Sequence, residues 1–449
     1  MNTQHETSNR NSNRNSNRNS NGNSHGIAQN NGRILLVAVV FFWFAQYVYI
    51  PFQTPYLTEI GTSAGMVGMI IGAYGISQML LRLPVGVMAD YRNRHKQFIM
   101  IGGISSGVAS IFRVVMQNGT GFFIANLFSG LASAMWISFM VFYMSFYPKE
   151  QRKATSQLVL ANNLGMLAGF VTSTLFYQKV GMAVICGFSI VAGVCCAVVA
   201  SRLKEDAQDG MAAGAAETMA EAAATAEAAA TAETERTAGT AEAVSTTAAA
   251  TREPLTVRSL LSVCTSRRLL IFAVLALVQQ GVQMSTTMSF TTQIIKNLGA
   301  NTMTIGISSI IYMLSAVLWA KFASTDLCGK ISSRNWISLV FCTTAAYCVL
   351  IPMSISIPII CLLQILPGMA TGILFSFLTS EAMKGIPAEK KSTAMGCFQA
   401  IYALGMTTFP MICGKIAGAV NMTAAYLFLA VICVVAAVGS RGFREKKAI

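Results

Sequence analysis

At 449 residues, with 54% hydrophobic side chains and only 11% charged ones, this chain would expose far more apolar surface than water tolerates if it folded as a soluble domain. A formal charge of +14 raises nucleic acid as a partner, but the basic residues sort by side of a predicted membrane, which argues against that class. A lipid bilayer is the solvent the composition asks for.

In chain order, residues 1–32 come first as a polar tract with repeated NSNR. They hold no short apolar core of the kind a cleavable signal needs, and are expected to be a disordered tail. Twelve mostly apolar runs of 19 to 28 residues follow, at 33–57, 64–89, 98–116, 121–147, 155–177, 181–201, 269–293, 302–325, 335–354, 357–384, 393–416 and 422–440. Each is long enough to cross a hydrocarbon core of about 30 Å at about 1.5 Å per helical residue. Helices are expected because every backbone group in lipid needs an internal partner and the short alternating segments of a barrel are absent. Between the sixth and seventh runs lies a connection, 202–268, whose stretch 204–253 is low in complexity, rich in Ala, Thr and Glu. It holds ten of the eighteen acidic residues and reads as a solvated linker. Residues 441–449 form a second polar tail.

The charges then set the topology. With the amino terminus inside, the inner segments carry 26 Lys and Arg and the outer loops carry Lys179 and Lys296. Dropping the seven of the long linker leaves 19 against 2, so both termini are expected on the cytoplasmic side. The eleven cysteines lie mostly within spans and none in an outer loop, the pattern of apolar filler rather than of disulfides or zinc ligands. No cofactor and no metal is expected.

An internal repeat ties the two groups of six spans together. SGLASA at 129–134 matches PGMATG at 367–372, with Asn126 facing Gln364, 238 residues apart. Leu164-Gly165-Met166 matches Leu404-Gly405-Met406 at an offset of 240, and Gly68 meets Gly306. The matches always join spans six apart, which gives both copies the same orientation. Two parallel six-helix bundles are expected from that arrangement.

Between the second and third spans the chain reads GVMADYRNRHKQ at 86–97. This resembles the cytoplasmic signature of the major facilitator superfamily, with Gly86, Asp90, Arg94, His95 and Lys96 at or near its places and Tyr91 and Asn93 departing from it. The resemblance implies an all-α integral membrane fold of twelve transmembrane helices. It also implies a gate in which the Asp90 carboxylate meets cations and the helix start at Ser392-Thr393 in one conformer and releases them in the other. Asp326 is the weaker counterpart in the second half. PKEQRKAT at 148–155 and PAEKKSTA at 387–394 read as basic anchors before helices 5 and 11. The signatures of drug antiporters within the superfamily are incomplete: Asn126 stands where Arg is common, and no proline follows Gly165 and Gly169.

Polar residues within spans should face protein or water. By that criterion the candidate cavity is Gln46, Tyr49, Gln53, Asn126, Trp136, Gln279, Gln280, Gln283, Gln364, Gln399 and Tyr402, with interhelical hydrogen bonding as the alternative for each. Arg82 and Arg113 are intramembrane charges. Arg82 is expected either to pair with carbonyls and loop carboxylates or to face water as an anion site, while Lys321 and Lys415 can snorkel to the span ends. None of the eighteen carboxylates falls near the middle of a span, and His5, His25 and His95 are placed outside the membrane, so no central proton carrier is visible and the coupling ion, a proton or another, is left open.

The expected function is alternating-access transport of a small organic solute across the inner membrane of a bacterial or archaeal cell, export slightly ahead of uptake, by a monomer whose partners are lipid and solute. The alternatives are an uptake permease for a sugar, organic acid or peptide-like nutrient, and a non-transporting membrane sensor. A membrane enzyme would need a buried nucleophile or acid–base constellation, and none is visible.

Overall fold

The computed structural model describes residues 29–92, 95–147, 151–204, 262–323, 325, 328, 331–387 and 390–442. Among them every regular element is helical. The spans are α1 (Gln29–Glu59), α2 (Ala64–Arg92), α3 (His95–Met116), α4 (Gly119–Ser145), α5 and α6 (the two arms of Gln151–Ser201), α7 (Arg267–Asn297), α8 (Thr302–Ala323), α9 (Ser333–Met353), α10 (Ile357–Met383), α11 (Lys391–Ala419) and α12 (Met422–Gly442). Eleven stretches among the described residues are long and apolar enough to cross a bilayer. One of them does so twice: a straight helix of 51 residues would run about 77 Å, and the Gln151–Ser201 stretch turns back at Gly181 (φ 74°, ψ 176°). Only glycine takes that φ without strain, so a single residue makes the α5–α6 hairpin.

Two expected boundaries move. The polar tail was expected to reach residue 32, yet α1 is already helical at Gln29, because the Asn31 amide donates to the Lys204 carbonyl at 2.8 Å and accepts from its N–H at 3.3 Å. The linker ends sooner than residue 268, since Ser262–Thr265 form a 3-10 turn and Arg268, in the first turn of α7, pairs with Glu381. The NSNR tract, the low-complexity linker and the terminal tail fall at 1–28, 205–261 and 443–449, outside the described residues.

The internal repeat is visible as repeated packing. A Cβ on Gly130 would stand 2.3 Å from the Tyr74 carbonyl oxygen and 2.8 Å from the Ser77 Cβ. On Gly368 it would stand 2.8 Å from the Tyr312 carbonyl oxygen and 2.5 Å from the Ser315 Cβ. Each partner is the other's equivalent 238 positions on. Hydrogen bonds repeat as well. Asn126 donates to the Ile70 carbonyl at 2.7 Å and Gln364 to the Ser308 hydroxyl at 3.0 Å, while Tyr74 bonds Ser133 at 3.0 Å and Tyr312 bonds Thr371 at 2.9 Å. Gly165 and Gly405 play the same part for α5 on α1 and α11 on α7, lying 2.5 and 2.1 Å by the same measure from the carbonyls of Val40 and Leu277. Small residues bring backbones this close because dispersion, not burial from water, holds helices together in lipid.

Large apolar side chains face outward on α3, α6, α9 and α12, among them Val115, Val191, Met353 and Val438, each more than half exposed. So wide an apolar surface suits lipid contact. It leaves α1, α2, α4, α5, α7, α8, α10 and α11 to form the interior, with α2 against α11 and α5 against α8 at the seam between the halves.

Four interior helices are irregular, and at matched places. α1 is broken by a turn at Val48–Tyr49, before Pro51 and Pro55, which remove backbone donors. α4 is interrupted at Met135. α7 and α10 each widen into a π turn, at Thr286–Phe290 and Ala370–Leu374. In α7, the hydroxyls of Ser285, Thr286 and Thr287 bond back to the carbonyls of Gly281, Val282 and Gln283, which competes with the helix ladder at the residues where it widens.

Candidate functional site

Beside the break in α1 lies a narrow cleft with a cavity volume of about 20 Å³, a water-sized space in this conformer. One wall is the first half, Gln46, Tyr47, Tyr49, Ile50 and Gln53 of α1, Ile71 and Tyr74 of α2 and Asn126 of α4; the other is Met284 and Met288 of α7. The helix break turns Tyr49 and Gln53 inward, and the back-bonded hydroxyls of α7 leave its two methionines as flexible apolar groups facing them.

The lining is mostly apolar, with amide groups set among rings, isoleucines and methionines, and it carries no charge. Gln46 Nε2 donates to the Ser129 carbonyl at 3.1 Å, which leaves its Oε1 free; the Gln53 Oε1 is likewise buried without a partner among the described residues. Two amide carbonyls in the lining therefore lack donors. A buried acceptor left unpaired costs about 1–3 kcal/mol, and a water or the N–H or O–H of a ligand can supply the donor.

Behind the wall sit two guanidinium groups. Arg113 of α3 is 1% exposed and donates to Ser110, Tyr49, Asn126 and Ser129 at 3.0, 2.9, 2.7 and 2.9 Å, lying 3.8 Å over the Tyr49 ring. Arg82 of α2 is 3% exposed and reaches across the seam to Gln399 Oε1 at 2.9 Å and to the Tyr402 hydroxyl, and within its own half to Ser133 at 3.4 Å. Among the described residues its partners are thus an amide carbonyl and two hydroxyls, and two of the three belong to α11.

The remaining expected cavity residues divide. Gln46, Tyr49, Gln53 and Asn126 line the cleft. Gln279 and Gln283 bond each other at 3.1 Å and line a second, smaller space of about 10 Å³ inside the second half; Gln283 also donates to Tyr312 at 2.6 Å. Gln364 is buried in that half between Ser308 and Tyr347. Trp136 packs on Trp43 at 5.2 Å in an aromatic cluster, Gln280 is half-buried and lines neither space, and Gln399 and Tyr402 hold Arg82. Tyr74, Met284 and Met288 were not singled out. Tyr74 could have been found, because it stands 238 residues before Tyr312 beside the repeated glycine.

Of the gate motif, Gly86 and Asp90 lie in the last turns of α2; the side chain of Asp90, and Arg94 and Asp326 entirely, lie outside the described residues. His95 had been placed outside the membrane, yet it is the first residue of α3, 3% exposed, its ring 6.2 Å from that of Phe142. Lys96 donates to the Leu203 carbonyl at 2.7 Å, a cation at the end of α6 where free carbonyls collect.

The two halves meet differently at their two ends. At one, Thr54 of α1 and Ser289 of α7 share a hydrogen bond at 3.1 Å, and Lys296 reaches Glu59 at 2.8 Å and the Pro55 carbonyl at 3.1 Å. There too a Cβ on Gly68 would lie 2.3 Å from the Pro410 carbonyl oxygen and one on Gly306 2.2 Å from the Thr174 hydroxyl. Toward the other end α2 and α11 run farther apart: a Cβ on Gly396 would lie 3.8 Å from Leu83, and Arg82 supplies the cross-seam hydrogen bonds.

Two six-helix repeats with matched helix breaks beside a cleft define a polytopic membrane protein with internal two-fold symmetry. A family model described as the Major Facilitator Superfamily matches residues 35–325 and 275–447, and the chain belongs to that superfamily. It is 24% identical over 162 residues to an uncharacterised MFS-type transporter of Methanocaldococcus jannaschii, and 23% identical over 140 residues to an uncharacterised transporter of Buchnera aphidicola. These stretches cover 35% and 31% of this chain and only 41% and 35% of the relatives. Two solved structures of the nucleoside transporter NupG, one bearing a substitution, superpose with TM-scores of 0.66 and 0.65 over 92% of this chain and 99% and 98% of theirs. At 12% identity they share its fold.

Proposed function

We propose that this protein carries a small organic solute across the membrane by alternating access, the two halves rocking about the cleft. The observation that carries the reading is the cleft itself: it lies between repeats, at the helix breaks, and holds unpaired amide oxygens that a solute would satisfy. The basic-residue asymmetry supports an inner-membrane protein with both termini cytoplasmic, and the Glu59–Lys296 end is then the outer one. Export of an amphiphilic compound fits the aromatic and methionine lining. Uptake of a nucleoside-like solute is the second reading, favoured by the free Gln46 and Gln53 oxygens and by the cargo named for the structural neighbours.

The test is a thermal-shift screen of the purified protein against diverse solutes. A true ligand at a hundred times its Kd stabilises the fold by about 2.7 kcal/mol, and Gln53→Trp, which fills the cleft, should abolish the shift. A solute that stabilises wild type and variant alike would remove the cleft from the account. The gate proposal is separate: Asp90→Asn should lower the flux of such a solute while folded protein stays in the membrane, and wild-type flux in vesicles would refute it.

A further inference from the structure

Resting on the carrier reading above, we propose that the solute bears an oxyanion, a carboxylate or a phosphate monoester, and that Arg82 is its anchor once the halves part at that end of the seam. Arg82 is a cation buried to 3% exposure whose three hydrogen-bond acceptors are all neutral: Gln399, Tyr402 and Ser133. No carboxylate pairs with it among the described residues, and its Nε has no acceptor there. Buried charges in membranes are otherwise paired or face water, because an uncompensated one is costly.

The fold does not require this charge. The equivalent position of the second repeat, 238 residues on, is Ala320, and the surrounding packing of α8 on α10 repeats that of α2 on α4 without it. The cation is therefore an addition to the repeat, and it sits on a helix of the seam.

Its partners make it sensitive to conformation. Two of the three acceptors belong to α11, across the seam, so parting of α2 from α11 strips Arg82 to the Ser133 hydroxyl. That hydroxyl also takes the proton of Tyr74, which lines the cleft, so Arg82 is one hydroxyl removed from the solute space. Arg113 reaches Ser129, one turn along α4 from Ser133, and adds a second guanidinium with no carboxylate partner among the described residues. Parting the halves places a bare, preorganised fork of donors beside a space biased positive by both arginines, and an oxyanion matches that fork geometrically and electrically. In the closed conformer Gln399 and Tyr402 take its place. The free oxygens of Gln46 and Gln53 ask the rest of the solute for N–H or O–H donors.

The experiment is a thermal-shift and binding titration of the full-length protein with a broad library of matched pairs, an oxyanion and its neutral counterpart, such as 4-hydroxybenzoate with 4-hydroxybenzamide and uridine 5′-monophosphate with uridine. Oxyanion members should stabilise wild type, carboxylates and phosphates in separate arms. Arg82→Gln should weaken their binding at least tenfold. Tyr402→Phe, which leaves Arg82 in place and removes a competing acceptor, should tighten it, an opposite sign that loss of fold cannot produce. Oxyanions bound equally well by Arg82→Gln, or weaker binding in a folded Tyr402→Phe, would overturn the anchor. Stabilisation by neutral members alone overturns the oxyanion and leaves the carrier standing; no shift with any member of either set overturns both.

Discussion

Arg113 shows how a single charge is accommodated in a membrane interior. Four neutral acceptors and the face of Tyr49 replace water around it, and its contact with Asn126 fixes one wall of the cleft. Arg113→Ala leaves the buried Asn126 Oδ1 without its donor, a loss of about 1–3 kcal/mol. The expected outcome is a lower melting temperature in detergent with the Asn126 bond to Ile70 retained; an unchanged melting temperature would mean that water replaces the guanidinium. Both arginines were legible as intramembrane charges. Their partners were not, because Arg82 is bound by residues 317 and 320 positions away and sequence spacing says nothing about which helices cross the seam together.

Among the helices, the close contacts are made by glycines that recur in both halves, and the predicted cost of filling them follows from geometry. Gly405→Val places a branched side chain where a Cβ already lies 2.1 Å from the Leu277 carbonyl oxygen, and Gly130→Val does so against Tyr74. Overpacking of this kind costs about 1–3 kcal/mol, read as reduced stability in detergent or poor insertion. Gly187→Ala, where no atom stands within 4 Å, should be silent, and equal effects at all three sites would refute the packing account. The twelve spans were readable because long apolar runs have few other uses. The break in α1 announced itself through Pro51 and Pro55. The π turns of α7 and α10 did not: in α7 the helix widens where hydroxyls choose carbonyls four residues back, and a run of Ser and Thr reads equally well as a polar helix face.

As a whole, the molecule is two copies of one packing scheme joined by a segment rich in Ala, Thr and Glu. Deleting residues 210–250 should leave insertion and melting temperature unchanged, and loss of either would give that segment a structural task. The repeat was legible in outline from short matches at offsets of 238 and 240, and the arrangement of carboxylates only at span ends was plain from the start. What the sequence could not supply was the pairing of the halves, since those contacts join residues hundreds of positions apart. The central claim is that the halves move against each other, and the hydroxyl pair Thr54 and Ser289, 3.1 Å apart across the seam, offers the most direct measurement. With both replaced by cysteine in a chain otherwise freed of cysteines, and the protein in vesicles, flux of a stabilising solute should vanish on oxidation and return on reduction. Undiminished flux through the cross-linked protein would contradict the account.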